Sequence, residues 1–478
     1  MRFRLFRDLV ELCFGQLLAA VVTLLAFASL ARTLDTEHYG FVEFAAALSL
    51  FFAMLVDFGL GSVGARELAR DPARASHHAA IIPAVRLLLA AVAIPVMGLS
   101  GHLINGSPEA QPLVWLFSIG LLAIPWRLDW LLQALDRMRA VATGQVLRSA
   151  VFAVGVYLFV RGPRDVVRVG LVEILAAGSA VLFYLALQVA YVTPLRLRFS
   201  PSDLKSLLHQ ASSIGLSNVV WALHQYVHLF LLGTLVGGEE TAWFGAAHRI
   251  VAAMLIFSYA YHFNLFPTMV RWIADSPRRF DELMRASFRM VGWAGVLIAF
   301  GCSLFARPIL EIVFGERFGT AAPAFAILVW AFPITTLGGH ARWSLIASGQ
   351  QRCVLLAQTA GAAVALPISP FLILRYGAVG GAIAMVAATL VVWLTAHLFA
   401  MRHVGRIPLL PSVGWPLSLA ILVAVPLTLF DPSPWLPWLK AILLAGAVVL
   451  APLGNPAFLP DLRLLAQAKS DLPSRESV

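Results

Sequence analysis

The chain has 478 residues, of which 60% are hydrophobic and only 13% are charged, and its formal net charge is +10. A single soluble core cannot bury so much apolar surface, so the composition excludes an ordinary soluble enzyme and favours a protein that spans a membrane many times. The positive charge does not indicate nucleic acid, because basic residues of a membrane protein first reflect the side of the membrane on which they lie. We therefore expect contacts with membrane lipids and no nucleic-acid partner.

Apolar stretches long enough to cross a bilayer as helices recur along the whole chain. The fold class we predict is an all-α polytopic membrane protein with about 14 transmembrane helices. Two pseudo-symmetric six-helix lobes would occupy 1–197 and 211–403, joined by a cytoplasmic linker at 198–210, and 404–478 would form an extra two-helix hairpin with a cytoplasmic tail. The predicted spans lie near residues 9–31, 41–64, 81–103, 113–135, 140–160, 169–192, 211–236, 244–270, 288–306, 323–347, 353–374, 378–401, 412–430 and 438–455.

An internal repeat supports the two lobes. A short segment recurs 213 positions later, with matched tryptophan, arginine and glutamine residues that chance does not easily align in an apolar chain. A duplication that yields two similarly oriented halves is a common origin of transporters, because the halves can enclose a central path. The matched pairs are Trp130 and Trp343, Leu132 and Leu345, Ala134 and Ala347, Arg139 and Arg352, Val141 and Val354, and Gln145 and Gln358.

The basic residues predict the orientation. Of the 35 Lys and Arg residues, 22 fall in loops on one predicted side of the membrane and 7 in loops on the other. The side richer in Lys and Arg is usually cytoplasmic, so we expect both termini in the cytoplasm.

Four arginines within predicted spans are candidates for an anion site. Arg86, Arg127, Arg148 and Arg342 fall in the cytoplasmic half of their helices. Because a charge inside a membrane is costly, such residues usually face a cavity or a partner. A cluster of guanidinium groups suits a diphosphate. The alternative is that those near the interface extend to lipid headgroups.

Two carboxylates are candidates for ion pairing or for coupling to an ion. The 213-residue offset aligns Asp129 with Arg342 and Arg127 with His340, so we predict an Asp129–Arg342 pair that leaves Arg127 free for a ligand. Asp57 is either paired with an arginine or a coupling site. It precedes a GxGxxG pattern that, without a preceding strand, indicates close helix packing rather than a nucleotide site.

Polar and aromatic residues predict a path for sugars. Trp221, His224 and His228 follow helical spacing on one face of the seventh span, and Tyr259 and His262 share a face of the eighth. The alternatives are interface anchors or core residues. His224 and His228 lack a third ligand, and the three cysteines lack metal spacing, so we expect no metal and no disulfide.

The chain carries the segments LDTEHYGF at 34–41, DFGLG at 57–61, ARELAR at 65–70, FGERF at 314–318 and YGAVGGA at 376–382. These segments resemble those of Wzx-type oligosaccharide flippases of the multidrug, oligosaccharidyl-lipid and polysaccharide exporter superfamily. The resemblance implies MATE-like alternating access and no enzymatic activity or cofactor; whether an ion or proton gradient drives transport is left open. The implied cargo is an undecaprenyl-diphosphate-linked oligosaccharide, such as an O-antigen unit, moved to the periplasmic leaflet of the bacterial inner membrane. The implied protein is a monomer that works with a polysaccharide polymerase and glycosyltransferases.

Two alternatives share this architecture. A lipid II flippase would carry a similar diphosphate, and the sequence does not exclude it. A multidrug or cation antiporter should favour acidic groups over a cluster of cations, which argues against it.

Overall fold

The computed structural model describes residues 2–71, 75–103, 108–135, 137–191 and 201–405, together with residues 414, 446, 460 and 461. Both predicted spans of the C-terminal hairpin, 412–430 and 438–455, lie almost entirely outside these residues. The described part is helical throughout, in agreement with the predicted all-α class.

Eight helices form the N-terminal half. Helix α1 packs along α7, α7 packs on α8, and α2 contacts α4 and α5. Their bounds are α1 Arg2–Thr33, α2 Thr36–Asp57, α3 Leu60–Arg70, α4 Ala75–Ser100, α5 Ala110–Gly120, α6 Asp129–Ala134, α7 Met138–Phe159 and α8 Val166–Tyr191.

In the C-terminal half the described residues form seven α-helices, and α15 packs on both α9 and α14. The longest, α15, breaks at Gly377, whose φ of 53° and ψ of −131° are not helical. This break lies between the predicted spans 353–374 and 378–401. The bounds are α9 Pro201–Leu235, α10 Gly238–Asp275, α11 Pro277–Leu304, α12 Ala306–Phe314, α13 Ala322–Leu328, α14 Ala331–Ala347 and α15 Gln351–His403.

Nine helices of the described part are long and apolar enough to cross a membrane. Their exposed apolar faces, such as those of Val92, Leu182 and Phe371, are what a lipid-facing surface requires. The protein is therefore a multi-pass membrane protein, while the number of crossings stays a prediction.

The predicted linker differs from the observed chain path. Helix α9 begins at Pro201, so residues 201–210 are helical and continue into the seventh predicted span. Pro is well accommodated at a helix start, and Leu207 in this extension is buried against the N-terminal half. The hydropathy window could not detect this extension because it carries too many polar residues for a membrane.

The turn from α2 to α3 explains the GxGxxG pattern. Helix α2 ends at Asp57; the next residue, Phe58, has a left-handed φ of 43°, and Gly59 follows with a φ of 74°. At Gly64 a Cβ atom would lie 2.7 Å from the ring of Trp130, so glycine is required for this close packing. A helix, not a strand, precedes the pattern, as expected for a packing role.

The internal repeat has the same geometry in both halves. The Arg137 N–H donates to the Leu132 carbonyl at 2.8 Å, and 213 positions later the Gln350 N–H donates to the Leu345 carbonyl at 2.7 Å. Helix α7 begins at Met138 and α15 begins 213 residues later at Gln351. The repeat therefore encodes the same helix–turn–helix geometry twice, as a duplication predicts.

The two halves meet along α2, which contacts both α9 and α10. Near the α1–α2 turn, Tyr39 is fully buried with its ring 5.2 Å from that of Phe318. In the same region the backbones of Gly40 and Gly238 approach so closely that a Cβ atom on Gly40 would lie 1.8 Å from the Gly238 carbonyl oxygen. A backbone oxygen cannot move aside, so this contact requires glycine.

We expect Gly40→Ala to destabilise the protein, because α2 and α10 would have to separate; overpacking of this kind typically costs about 1–3 kcal/mol. The measurement is the thermal unfolding midpoint of the detergent-purified protein. The control is Gly178→Ala on α8, where no heavy atom lies within 4 Å of the added methyl group. An unchanged midpoint for Gly40→Ala would contradict the close contact between the two halves.

Candidate functional site

A cavity of about 440 Å³ lies in the N-terminal half and reaches the boundary with the C-terminal half. Its polar lining includes Arg127, Arg148 from α7, Glu173 from α8 and Arg249 from α10. Because α10 belongs to the other half of the molecule, a ligand in this cavity can contact both halves.

Two of these arginines present their guanidinium groups to the cavity. The side chains of Arg127 and Arg148 are 46% and 43% exposed, whereas their carboxylate partners Asp129 and Glu173 are 18% and 13% exposed. Each guanidinium therefore has an ion-pair partner behind it and an open side in front. A guanidinium has five N–H donors in a fixed plane, so donors remain for an anionic ligand.

Arg127 owes its position to a break in helical structure. It lies between the 3₁₀ turn Leu121–Ala123 and the start of α6 at Asp129. Its Nη2 donates to Asp129 Oδ2 at 3.1 Å. The prediction of an Asp129–Arg342 pair with a free Arg127 is therefore wrong. Pseudo-symmetry aligns Asp129 with Arg342 but does not bring them together, and the adjacent Arg127 is the nearer cation.

Arg249 forms an ion pair across the two halves. Its Nε donates to Glu43 on α2, and its guanidinium carbon lies 3.0 Å from the centroid of the Phe27 ring on α1. Tyr39 also donates to Glu43, at 2.6 Å. The sequence did not predict Arg249 as part of this cavity.

A smaller cavity of about 240 Å³ shares Ala53, Ile124 and Arg127 with the first. Asp57, Arg86 and Asp129 also line it. Arg86 is only 3% exposed; it donates to Asp57 and, at 3.0 Å, to the Arg127 carbonyl. Asp57 thus pairs with an arginine, which is one of the two alternatives predicted for it. Coupling of an ion by Asp57 or Asp129 stays a prediction.

A third cavity, of about 70 Å³, lies in the C-terminal half. It brings together Trp221, His224, Tyr259 and His262, four of the five residues predicted for the sugar path, and adds Arg342. The four predicted diphosphate arginines therefore do not form one cluster. Arg86, Arg127 and Arg148 line the two connected cavities of the N-terminal half, and Arg342 lines a separate one.

His228 does not line any of the three cavities. It is fully buried, its Nδ1 lies 3.1 Å from Ser369 Oγ, and its ring is 6.1 Å from that of Phe244. This is the environment of a core histidine, which was the alternative to a place on the sugar path. A polar stripe on a helix indicates which residues share a face but not which of them meets a cavity.

Comparisons with known proteins identify the family. Residues 5–273 match the family model "Polysaccharide biosynthesis protein". The chain is 25% identical over 387 residues to the "Probable low-salt glycan biosynthesis flippase Agl15" of Haloferax volcanii, which covers 79% of each protein.

Solved structures show the fold. The lipid II flippase MurJ in an inward closed conformation superimposes with a TM-score of 0.73 over 95% of this chain and all of that chain, at 12% identity. A multidrug resistance MATE family transporter of the MOP superfamily superimposes with a TM-score of 0.62 over 82% of this chain and 94% of that chain, at 16% identity. The relatives are flippases and transporters rather than enzymes. The chain therefore belongs to the polysaccharide biosynthesis protein family, as its resemblance to Wzx-type flippases predicted.

Proposed function

We propose that the protein is a flippase that moves a lipid-linked oligosaccharide across the membrane, with the diphosphate bound in the cavity of the N-terminal half. The observation that carries this proposal is the pair of half-exposed guanidinium groups of Arg127 and Arg148 facing a cavity of about 440 Å³. The relatives named as flippases support the same activity.

The geometry suits a diphosphate because the carboxylates lie behind the guanidinium groups. Glu173 and Asp129 offset the cost of holding a cation in the membrane before the ligand enters. The remaining N–H groups of Arg127 and Arg148 then face the cavity, where charge-assisted bonds to phosphate oxygens are strong. Arg249, which lines the same cavity from α10, would let the bound anion contact both halves.

The cargo we propose is an undecaprenyl-diphosphate-linked oligosaccharide, carried from the cytoplasmic to the periplasmic leaflet of the bacterial inner membrane. The distribution of Lys and Arg supports an orientation with both termini in the cytoplasm. The two halves would act as lobes that open alternately, in a monomer that works beside a polymerase and glycosyltransferases. An ion or proton gradient is the proposed energy source.

Two other cargoes remain as competing proposals. A lipid II flippase fits the fold and the same diphosphate site. A multidrug or cation antiporter fits the fold, but each carboxylate that lines the N-terminal cavities already has an arginine as its ion-pair partner, which disfavours a second cation there. Transport assays in proteoliposomes with lipid II, a lipid-linked oligosaccharide and a cationic drug would separate the three.

We expect Arg127→Ala and Arg148→Gln to abolish translocation while leaving the protein inserted and folded, because each removes donors that face the diphosphate. The measurement is protection of a lipid-linked oligosaccharide from membrane-impermeable periodate in proteoliposomes. The control is Arg168→Ala, which removes an exposed cation paired with Asp165 outside the cavities. Normal translocation by both variants would remove these arginines from the mechanism.

Arg86 should behave differently from Arg127. Removing one partner of a buried ion pair costs about 3–5 kcal/mol, so Arg86→Ala should lower the thermal unfolding midpoint strongly by leaving Asp57 without its partner. Arg66→Ala, at a half-exposed pair with Glu67, should change stability by about 1 kcal/mol or less. If Arg86→Ala is as stable as wild type but inactive in translocation, Arg86 is a ligand rather than a structural residue.

A further inference from the structure

Arg342 differs from the other cavity-lining arginines in its surroundings. Arg86, Arg127, Arg148 and Arg249 each contact a carboxylate. Arg342 forms no ion pair with any residue that the structure describes, and no carboxylate lines its cavity. Because an unpaired cation within a membrane helix is costly, it indicates a ligand of opposite charge.

Other polar atoms around the same cavity also lack partners. The Nε of Arg342, the Nε1 of Trp393, the Nδ1 of His224 and the Oε1 of Gln358 are buried without a hydrogen bond. All four residues line the cavity, and the side chain of His224 is nearly fully buried, at 4% exposure. Native proteins satisfy most buried polar atoms, so a group of unsatisfied ones at a single cavity indicates an absent ligand.

The internal repeat explains how this cavity arose. Gln145 lines the N-terminal cavity, and its repeat partner Gln358 lines the C-terminal one. The same offset aligns Leu121 with Ile334, which also line the two cavities respectively. The cavities are therefore counterparts in the duplicated halves, and at the position of Asp129 the second half carries Arg342. The two halves therefore carry opposite charges at this equivalent position.

We propose that the C-terminal cavity binds a single anionic group with the chemistry of a carboxylate, and that this group belongs to an acidic sugar of the cargo. This inference rests on the proposed flippase function and names a substrate class within it. A guanidinium binds a carboxylate through two parallel hydrogen bonds, which a neutral sugar cannot replace.

The size and lining of the cavity support a small charged group on a sugar. A cavity of about 70 Å³ has room for several water-sized groups, and so for a carboxylate. The rings of Trp221, Trp343 and Trp393 line the same cavity and offer apolar faces to the ring that carries the carboxylate. Arg342 would thus bind the carboxylate of the sugar, while Arg127 and Arg148 in the separate N-terminal cavity bind the diphosphate.

The experiment compares two lipid-linked oligosaccharides that share the lipid, the diphosphate and all sugars except one, which is glucuronic acid in the first and glucose in the second. Wild-type protein in proteoliposomes should translocate the acidic cargo on the order of tenfold faster, as expected for a charge-assisted contact. Arg342→Gln should lose this preference and translocate both cargoes at the slower rate, and Arg342→Lys should retain part of it. The matched control is Arg352→Gln, which removes an exposed cation ten residues further along the chain.

A binding measurement separates the sources of the anion. Free glucuronate, glucose and chloride are added to the detergent-purified protein, and the fluorescence of the cavity tryptophans and the thermal unfolding midpoint are followed. Glucuronate alone should shift both in wild type and neither in Arg342→Gln. A response to chloride without one to glucuronate would overturn the sugar assignment.

Failure of this inference is distinguishable from failure of the proposed function. Equal translocation of both cargoes by wild type and by Arg342→Gln would reject the acidic-sugar site and leave the flippase proposal intact. If wild type translocates neither cargo, the proposed function fails, and the binding measurement then decides alone whether the anion site exists.

Discussion

The structure depends on how positive charges are held inside a membrane protein. A guanidinium keeps its charge at any physiological pH, so a buried arginine must find an acceptor or face water. In the N-terminal half each cavity-lining arginine contacts a carboxylate. These pairs join α2 to α4 through Asp57 and Arg86, and α7 to α8 through Glu173 and Arg148. The requirement to neutralise arginines therefore also determines which helices pack together.

The same pairs give the N-terminal cavity its polarity. In these two ion pairs the guanidinium faces the cavity: the side chains of Arg127 and Arg148 are more exposed than those of their carboxylate partners. The carboxylates stay between the helices, where they restrict the rotamers of the arginines. A cavity with no formal excess of positive charge can thus present donors to a phosphate, and those donors are already oriented before the ligand arrives.

The sequence predicted the features that depend on local composition. Apolar windows located the helices because a lipid-facing helix must be apolar over its whole length. The repeat was visible because Trp130 and Trp343 are rare residues at one offset, and the structure gave both the same turn. The ion pairs were not predictable in the same way. Glu43 and Arg249 are separated by 206 residues, and their contact depends on how α2 crosses α10.

The error at Asp129 shows the limit of reasoning from symmetry. The offset correctly aligned Asp129 with Arg342, but an alignment relates equivalent positions in two halves, and equivalent positions lie apart unless they are near the symmetry axis. Sequence alone also could not assign the four arginines to the cavities of the two halves, because depth in the membrane does not specify which cavity a side chain faces.

Duplication explains why one protein can offer two environments to one cargo. After a duplication both halves begin with the same cavity, and they now differ at several charged positions: Asp129 aligns with Arg342, Arg127 with His340 and Arg148 with Gly361. A lipid-linked oligosaccharide has a diphosphate at one end and sugars at the other, so a transporter that carries it needs different chemistry at two separated positions. Two diverged copies of one cavity supply this arrangement without a new fold. Because the two copies belong to different halves, a cargo that occupies both would connect the parts whose relative movement alternating access requires.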